Sequence, residues 1–163
     1  MDYAQVTSRL YIGSHPKSID DIETLQKVLA ITAILNLQTN EDMAAANLNW
    51  QPLESHYKTC AVSLRRIPMK EEQVVLQEKL LECVDTLGDL LAAGQTVYLH
   101  CTAGIGRSPT VAIGYLHCYL GWELIAAVRY VKQLRPCSPH VDALRRAILD
   151  REKQEPWTRS GQV

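Results

Sequence analysis

Two hydrophobic periods alternate along the 163 residues of the chain. Short apolar runs at Leu10-Tyr11-Ile12-Gly13-Ser14, Ile31 to Leu37, Ala61 to Leu64 and Thr96 to His100 read as strands. Between the last two the period lengthens to three and four. Val75, Leu76, Leu80, Cys83, Val84, Leu87 and Leu91 form one apolar stripe, which predicts a helix from Glu71 to Leu91, stopped at Gly94. Shorter helices are expected over Ile19 to Val28, with Ser18 as N-cap, and over Pro52 to Thr59. Three more follow the His100 strand: Ser108 to Tyr119, Trp122 to Leu134 and Val141 to Glu155, separated by Gly121 and by Pro136 and Pro139. Strands alternating with helices, then a helical run, predict an α/β fold: a central, mainly parallel sheet flanked by helices. No repeat, low-complexity tract or linker divides the sequence. Residues 1–155 are expected to form one domain and 156–163 a frayed tail.

Composition narrows the partners. A net charge of -1 with 21% charged residues gives no basic excess, which disfavours nucleic acid and requires any anion site to be local. No apolar run is long enough to span a bilayer, so no membrane partner is expected. The first residues lack a basic segment followed by an apolar one, so no signal peptide is expected. Cys60, Cys83, Cys101, Cys118 and Cys137 are odd in number and form no CxxC pair, against a zinc site or a disulfide framework. A reducing, cytoplasmic setting is expected. His15, His56, His117 and His140 show no metal-ligand spacing and read as structural or solvated.

The candidate chemistry lies where the His100 strand meets the next helix, in His100-Cys101-Thr102-Ala103-Gly104-Ile105-Gly106-Arg107-Ser108. Ligands of open α/β sheets bind at the carboxyl ends of strands. Gly104 and Gly106 let the backbone turn successive N–H groups of residues 102 to 107 inward. Such a nest at a helix start binds a phosphate dianion and favours a thiolate over a thiol. Arg107 is expected to grip two phosphate oxygens in a fork that lysine does not reproduce. Cys101 then attacks phosphorus in line, and water hydrolyses the phosphocysteine. The Ser108 hydroxyl is expected to hydrogen-bond the departing thiolate, and His100 to orient the loop. No metal or cofactor is required.

These residues resemble the active-site loop of the cysteine-based protein tyrosine phosphatase superfamily, and the chain from Tyr3 to Leu149 is most similar to its dual-specificity branch. The Ala103-Gly104-Ile105-Gly106 form, with LYIGSHPKSIDDIETLQ and LRPCSPHVDALRRA, resembles the laforin-like and starch-excess glucan phosphatases. The resemblance implies a dual-specificity phosphatase-like fold. It also implies a general acid, usually an Asp about thirty residues before the nucleophile. Here no Asp lies between Asp42 and Asp85, and Lys70 occupies the matching place. Three readings stand: Glu71 or Glu72 serves as the acid, the acid comes from elsewhere in space, or none exists. The glutamates have an ordinary explanation as well, since acidic residues suit the first turn of a helix.

The expected substrate is a phosphorylated protein, on tyrosine, serine or threonine. A phosphoglucan ranks second and a phosphoinositide third, because the loop lacks extra Lys or Arg. A phosphate-binding pseudophosphatase is the reading from another class. Tyr11, Trp50, Tyr57 and Trp122 are candidate sugar platforms, each more simply a packing residue. Arg65 and Arg66 either border the cleft or form a solvated edge. Cys60 and Cys137 are candidates to protect an oxidised Cys101 as a disulfide.

Overall fold

The structure, a computed structural model, describes residues 1–154; the tail expected over 156–163 lies outside them. One sheet holds β1 (Tyr3–Thr7), β2 (Leu10–Gly13), β3 (Ala33–Asn36), β4 (Ser63–Arg66) and β5 (Val97–His100) in the spatial order β1-β2-β5-β3-β4. The pairs β2–β5, β5–β3 and β3–β4 are parallel, and β1 joins β2 antiparallel. The sheet is therefore mainly parallel, as expected. Helices α1 (Ile19–Leu29), α2 (Asn40–Ala45), α3 (Trp50–Thr59), α4 (Gln73–Ala92), α5 (Arg107–Cys118), α6 (Leu124–Leu134) and α7 (Val141–Gln154) complete the described chain.

The strand period of two splits the core into two layers. Leu10 and Ile12, Ala33 and Leu35, and Val97 and Leu99 face one side, where Leu80, Val84, Val111, Ile113, Val131 and Leu144 of α4 to α7 cover them. Ile34 and Tyr98 face the other, under Ile22 and Leu25 of α1 and Leu53 and Tyr57 of α3. β5 is buried at all four positions, which explains its uninterrupted apolar run. His100 pairs in register with Gly13 of β2 and Asn36 of β3, so three strands end level. The chain switches direction across the sheet on either side of β5. That places the loop after His100 in the crevice where open α/β sheets bind ligands.

The departures have local causes. β4 begins two residues beyond the expected run because its register with β3, Ala33 opposite Ser63 through Asn36 opposite Arg66, sets its bounds rather than its apolarity. It is an edge strand and alternates exposed with half-buried positions. β1 is a short edge strand whose alternation the N-terminal reading passed over. The six residues of α2 are too few to show a period, yet Thr39 and Asp42 close a full capping box around its start. α4 starts at Gln73, so Glu71 and Glu72 precede its first turn instead of occupying it.

Candidate active site

Arg107 opens α5, and Cys101 to Gly106 form the turn between β5 and that helix. The carbonyl groups of this turn are drawn outward by five separate neighbours. Cys101 O accepts from His100 Nδ1 (3.1 Å), and Thr102 O accepts from His15 N (3.0 Å) and Nδ1 (2.8 Å). Ala103 O accepts from Arg135 Nη2 (3.4 Å), Ile105 O from Ser138 N (2.9 Å), and Gly106 O from Thr110 N (3.2 Å) and Oγ1 (2.8 Å). In a planar trans peptide the N–H points opposite to the C=O. The N–H groups of Thr102, Ala103, Gly104, Gly106 and Arg107 are thereby turned to the inside of the loop. Gly104 stands at φ +70°, and a Cβ there would strike the backbone of Gly13, so glycine is required twice over.

Cys101 sits at the bottom of this loop, 2% exposed, with Ser108 Oγ 3.5 Å from its sulfur. His100 beside it is enclosed, and burial pushes its pKa down to about 3. It is therefore an uncharged, very weak base at neutral pH, and it is one of the five neighbours whose hydrogen bonds shape the loop. Burial also pushes the thiols of Cys83 up to about 12 and Cys118 up to about 11, which holds both as thiols.

The Arg107 guanidinium is folded back over the loop, and its side chain is 4% exposed. Nη1 donates to Asp42 Oδ2 (2.6 Å) and Met69 O (2.8 Å), and Nη2 donates to Thr102 Oγ1 (3.4 Å). Nε is 3.0 Å from Glu71 Oε1, but it is buried and its hydrogen finds no acceptor in line. The nearby carboxylate is an electrostatic neighbour of that N–H rather than its hydrogen-bond partner. Burial opposes ionisation of both Arg107 and Asp42. Burial is the largest single influence on each, but their mutual hydrogen bond, the charges around Arg107 and the Thr39 hydrogen bonds to Asp42 together outweigh it, raising the arginine pKa and holding the Asp42 carboxyl below the usual range.

Above the loop lies a cavity of about 290 Å³ lined by Glu71, Cys101, Thr102, Ala103, Ile105, Gly106, Arg107, Ser138 and His140. Its lining holds no aromatic residue other than the histidine. Of the two candidate acids, the structure brings Glu71 to the mouth and leaves Glu72 as the exposed residue preceding α4. His140 is a correction to the sequence reading. It donates from Nε2 to Glu71 Oε2 (3.1 Å) and stands over the loop, 2.9 Å from where a Cβ on Gly106 would lie. Asp42, His15, Arg135 and the Met69 carbonyl were not read as site groups. The Thr39-x-x-Asp42 capping box was the one local signal among them. Among the described residues no cluster of His, Cys, Asp and Glu is placed to hold a metal.

The proposed platforms scatter. Tyr57 is buried, Tyr11 packs edge-on to Tyr3, and Trp122 packs on Tyr130. Trp50 borders an open groove of about 420 Å³, and the buried Tyr57 shares its lining with Glu54, Lys58 and Arg66. Arg66 lies over the Trp50 ring and donates to Gln38 O (3.2 Å) and Asn40 Oδ1 (2.6 Å), while Arg65 is exposed. Gln38 Nε2 in turn donates to Thr102 Oγ1 (3.3 Å), tying this rim to the loop.

A buried thiol at a strand end, an inward-turned amide nest and a clamped arginine with five residues between it and the thiol together make up the loop between β5 and α5. Residues 10–154 match the dual specificity phosphatase catalytic domain, and the chain belongs to that family. It is 32% identical over 151 residues to the phosphoglucan phosphatase LSF1, chloroplastic, of Arabidopsis thaliana, covering 92% of this chain and 25% of that protein. It is 29% identical over 147 residues to laforin of Mus musculus, covering 83% of this chain and 44% of that one. The chain thus spans less than half the length of these curated relatives. The crystal structure of PTPMT1 in complex with PI(5)P shares the fold, with a TM-score of 0.77 at 18% identity, covering 93% of this chain and 97% of that one. No helix among the described residues is long and apolar enough to cross a membrane.

Proposed function

We propose that the chain hydrolyses phosphate monoesters through a phosphocysteine on Cys101. The observation that carries this is the buried Nε–H of Arg107, which has no in-line acceptor although Arg107 lines the cavity together with Cys101. Together with the inward N–H groups it offers a phosphate dianion the donors that hold its three equatorial oxygens. Asp42 and Met69 O fix the far side of the guanidinium, so the fork is set before substrate arrives. The sulfur attacks phosphorus, and the leaving oxygen departs toward the mouth, where Glu71 stands. Ser108 donates to the thiolate when water later breaks the S–P bond. The test is turnover of p-nitrophenyl phosphate, lost in Cys101→Ser; a chain that binds phosphate and turns over nothing is instead the pseudophosphatase. Five free cysteines are in keeping with a reducing, cytoplasmic setting.

The family supports a phosphoprotein substrate. A second reading, a phosphoglucan, has its own support in the polar walls of the cavity, Glu71, Ser138 and His140, and in the Trp50–Arg66 groove linked to Thr102 through Gln38. Phosphate release from solubilised amylopectin and from phosphopeptides separates the two. Under the glucan reading Trp50→Ala lowers the first and spares the second.

A further inference from the structure

Glu71 is placed between two cationic or cation-forming groups, one opening α5 and one immediately before α7. Its Oε1 lies 3.0 Å from Arg107 Nε, and its Oε2 accepts from His140 Nε2 at 3.1 Å. Nε is the donor that a bound phosphate oxygen takes. A phosphate seated in the loop therefore replaces a guanidinium by a dianion as the nearest charge to the Glu71 carboxylate. The carboxylate then keeps His140 as its hydrogen-bonding neighbour. His140 is anchored beside the loop by its backbone N–H, which donates to Thr110 Oγ1 (2.8 Å), and its Nε2 lies 2.9 Å from where a Cβ on Gly106 would stand, a place that glycine leaves open.

Resting on the phosphatase reading, we infer that Glu71 and His140 act as one proton-holding pair, which takes up a proton when phosphate displaces Glu71 from Arg107. The pair supplies that proton to the leaving oxygen. The other titratable and charged groups around it are Cys101 from the loop, Arg107 from α5, and Asp42 from α2 behind Arg107. Lys70 and Glu72 flank Glu71 and are exposed, and Asp142, two residues past His140, pairs with Arg145. Adding a dianion at the centre of this set favours the protonated pair by Coulomb's law. In the first step the S–P bond forms, the P–O bond to the leaving group breaks, and the pair's proton makes the departing oxygen an alcohol. In the second step water bonds to phosphorus and yields its proton to the pair, and the S–P electrons return to Cys101. The arrangement fills the role left open by Lys70 at the place of the family's Asp. His140 is the positioning residue of the pair, and Glu71 meets the leaving group.

Two measurements test the coupling. In the Cys101→Ser chain, sulfate matches phosphate in shape and charge and carries no proton of its own near neutrality. Calorimetry of sulfate binding in buffers of different ionisation enthalpy should show proton uptake, and affinity should rise as pH falls from about 8 to about 6. His140→Asn in the same background should abolish both. In the chain with Cys101 intact, His140→Asn should lower the single-turnover rate at which an alkyl phosphate phosphorylates Cys101 about 10²-fold, within the range for general acid catalysis, and lower that rate much less for p-nitrophenyl phosphate, whose leaving group needs little protonation. Added imidazole should restore part of the loss in His140→Ala. Sulfate binding without proton exchange overturns the inference, as does an equal loss on both substrates, which marks a structural role. Proton uptake with no turnover of any ester would support the coupling while refuting the phosphatase reading.

Discussion

Replacing Asp42 by Asn removes one negative charge from beside the buried Arg107 guanidinium and changes side-chain volume little. Asp42 Oδ2 accepts from Arg107 Nη1 at 2.6 Å and from Thr39 N at 2.8 Å. A hydrogen bond to a charged group contributes about 1.5–3 kcal/mol, and stripping the partner from a fully buried ion costs about 3–5 kcal/mol. The upper figure does not apply here, because the Asp42 side chain is 23% exposed and Arg107 keeps Met69 O at 2.8 Å and the Glu71 carboxylate at 3.0 Å. The expected loss is about 2 kcal/mol at pH 7, or about 4–8 °C in Tm for a chain of this size. Its pH dependence has a definite sign. Burial would raise the Asp42 pKa, but hydrogen bonds from Arg107 and Thr39 hold it lower in the folded chain. The stabilisation is therefore complete above the unfolded carboxylate range, near about pH 4, and is lost as pH falls through the folded value. Urea unfolding should show a constant gap between the two proteins from pH 7 to about 5 that closes below about 4. A guanidinium held at Nη1 by backbone carbonyls without the Asp42 carboxylate should also lower kcat/KM for p-nitrophenyl phosphate about 10²-fold through misplacement of the fork. Equal stability at pH 7, or a gap that persists unchanged into acid, would refute the reasoning.

Arg107→Lys should lower kcat/KM by about 10²-fold or more, because a point charge replaces the fork and leaves Asp42 without its in-plane donor; steady-state assay with p-nitrophenyl phosphate checks it. Gly104→Ala should destabilise the fold by about 1–3 kcal/mol and abolish phosphate binding, since its φ of +70° and the Gly13 backbone both exclude a Cβ; thermal melts with and without phosphate report both. Ser108→Ala should slow hydrolysis of the phosphocysteine more than its formation, so a pre-steady-state burst should appear or grow.

How much of this was legible in the sequence follows from how local each feature is. The loop from His100 to Ser108 is contiguous, so its nucleophile, its glycines and its arginine could be read from spacing alone. The α4 stripe was equally plain because the helix is 20 residues long. What escaped was brought together by the sheet. Asp42 meets Arg107 across 65 residues, and Glu71 meets His140 across 69. No period or motif announces such a meeting. The first arises because β3 and β5 are neighbours and end level, so the segments leaving their ends converge on one crevice; the second because Glu71 follows β4, which pairs with β3, and His140 is tied to α5 through Thr110. His140 read as structural or solvated for that reason. Glu71 and Glu72 were indistinguishable until the start of α4 at Gln73 set their directions apart. The β4 boundary was missed on similar grounds, since its partner β3 decides where pairing begins.

Rapid-quench mass spectrometry of the chain mixed with p-nitrophenyl phosphate tests the central claim most directly. The expected result is a phosphoryl group on the peptide carrying Cys101, formed before steady-state release of phosphate, prolonged in Ser108→Ala and absent in Cys101→Ser. Turnover with the adduct on another residue, or unimpaired turnover in Cys101→Ser, would contradict it.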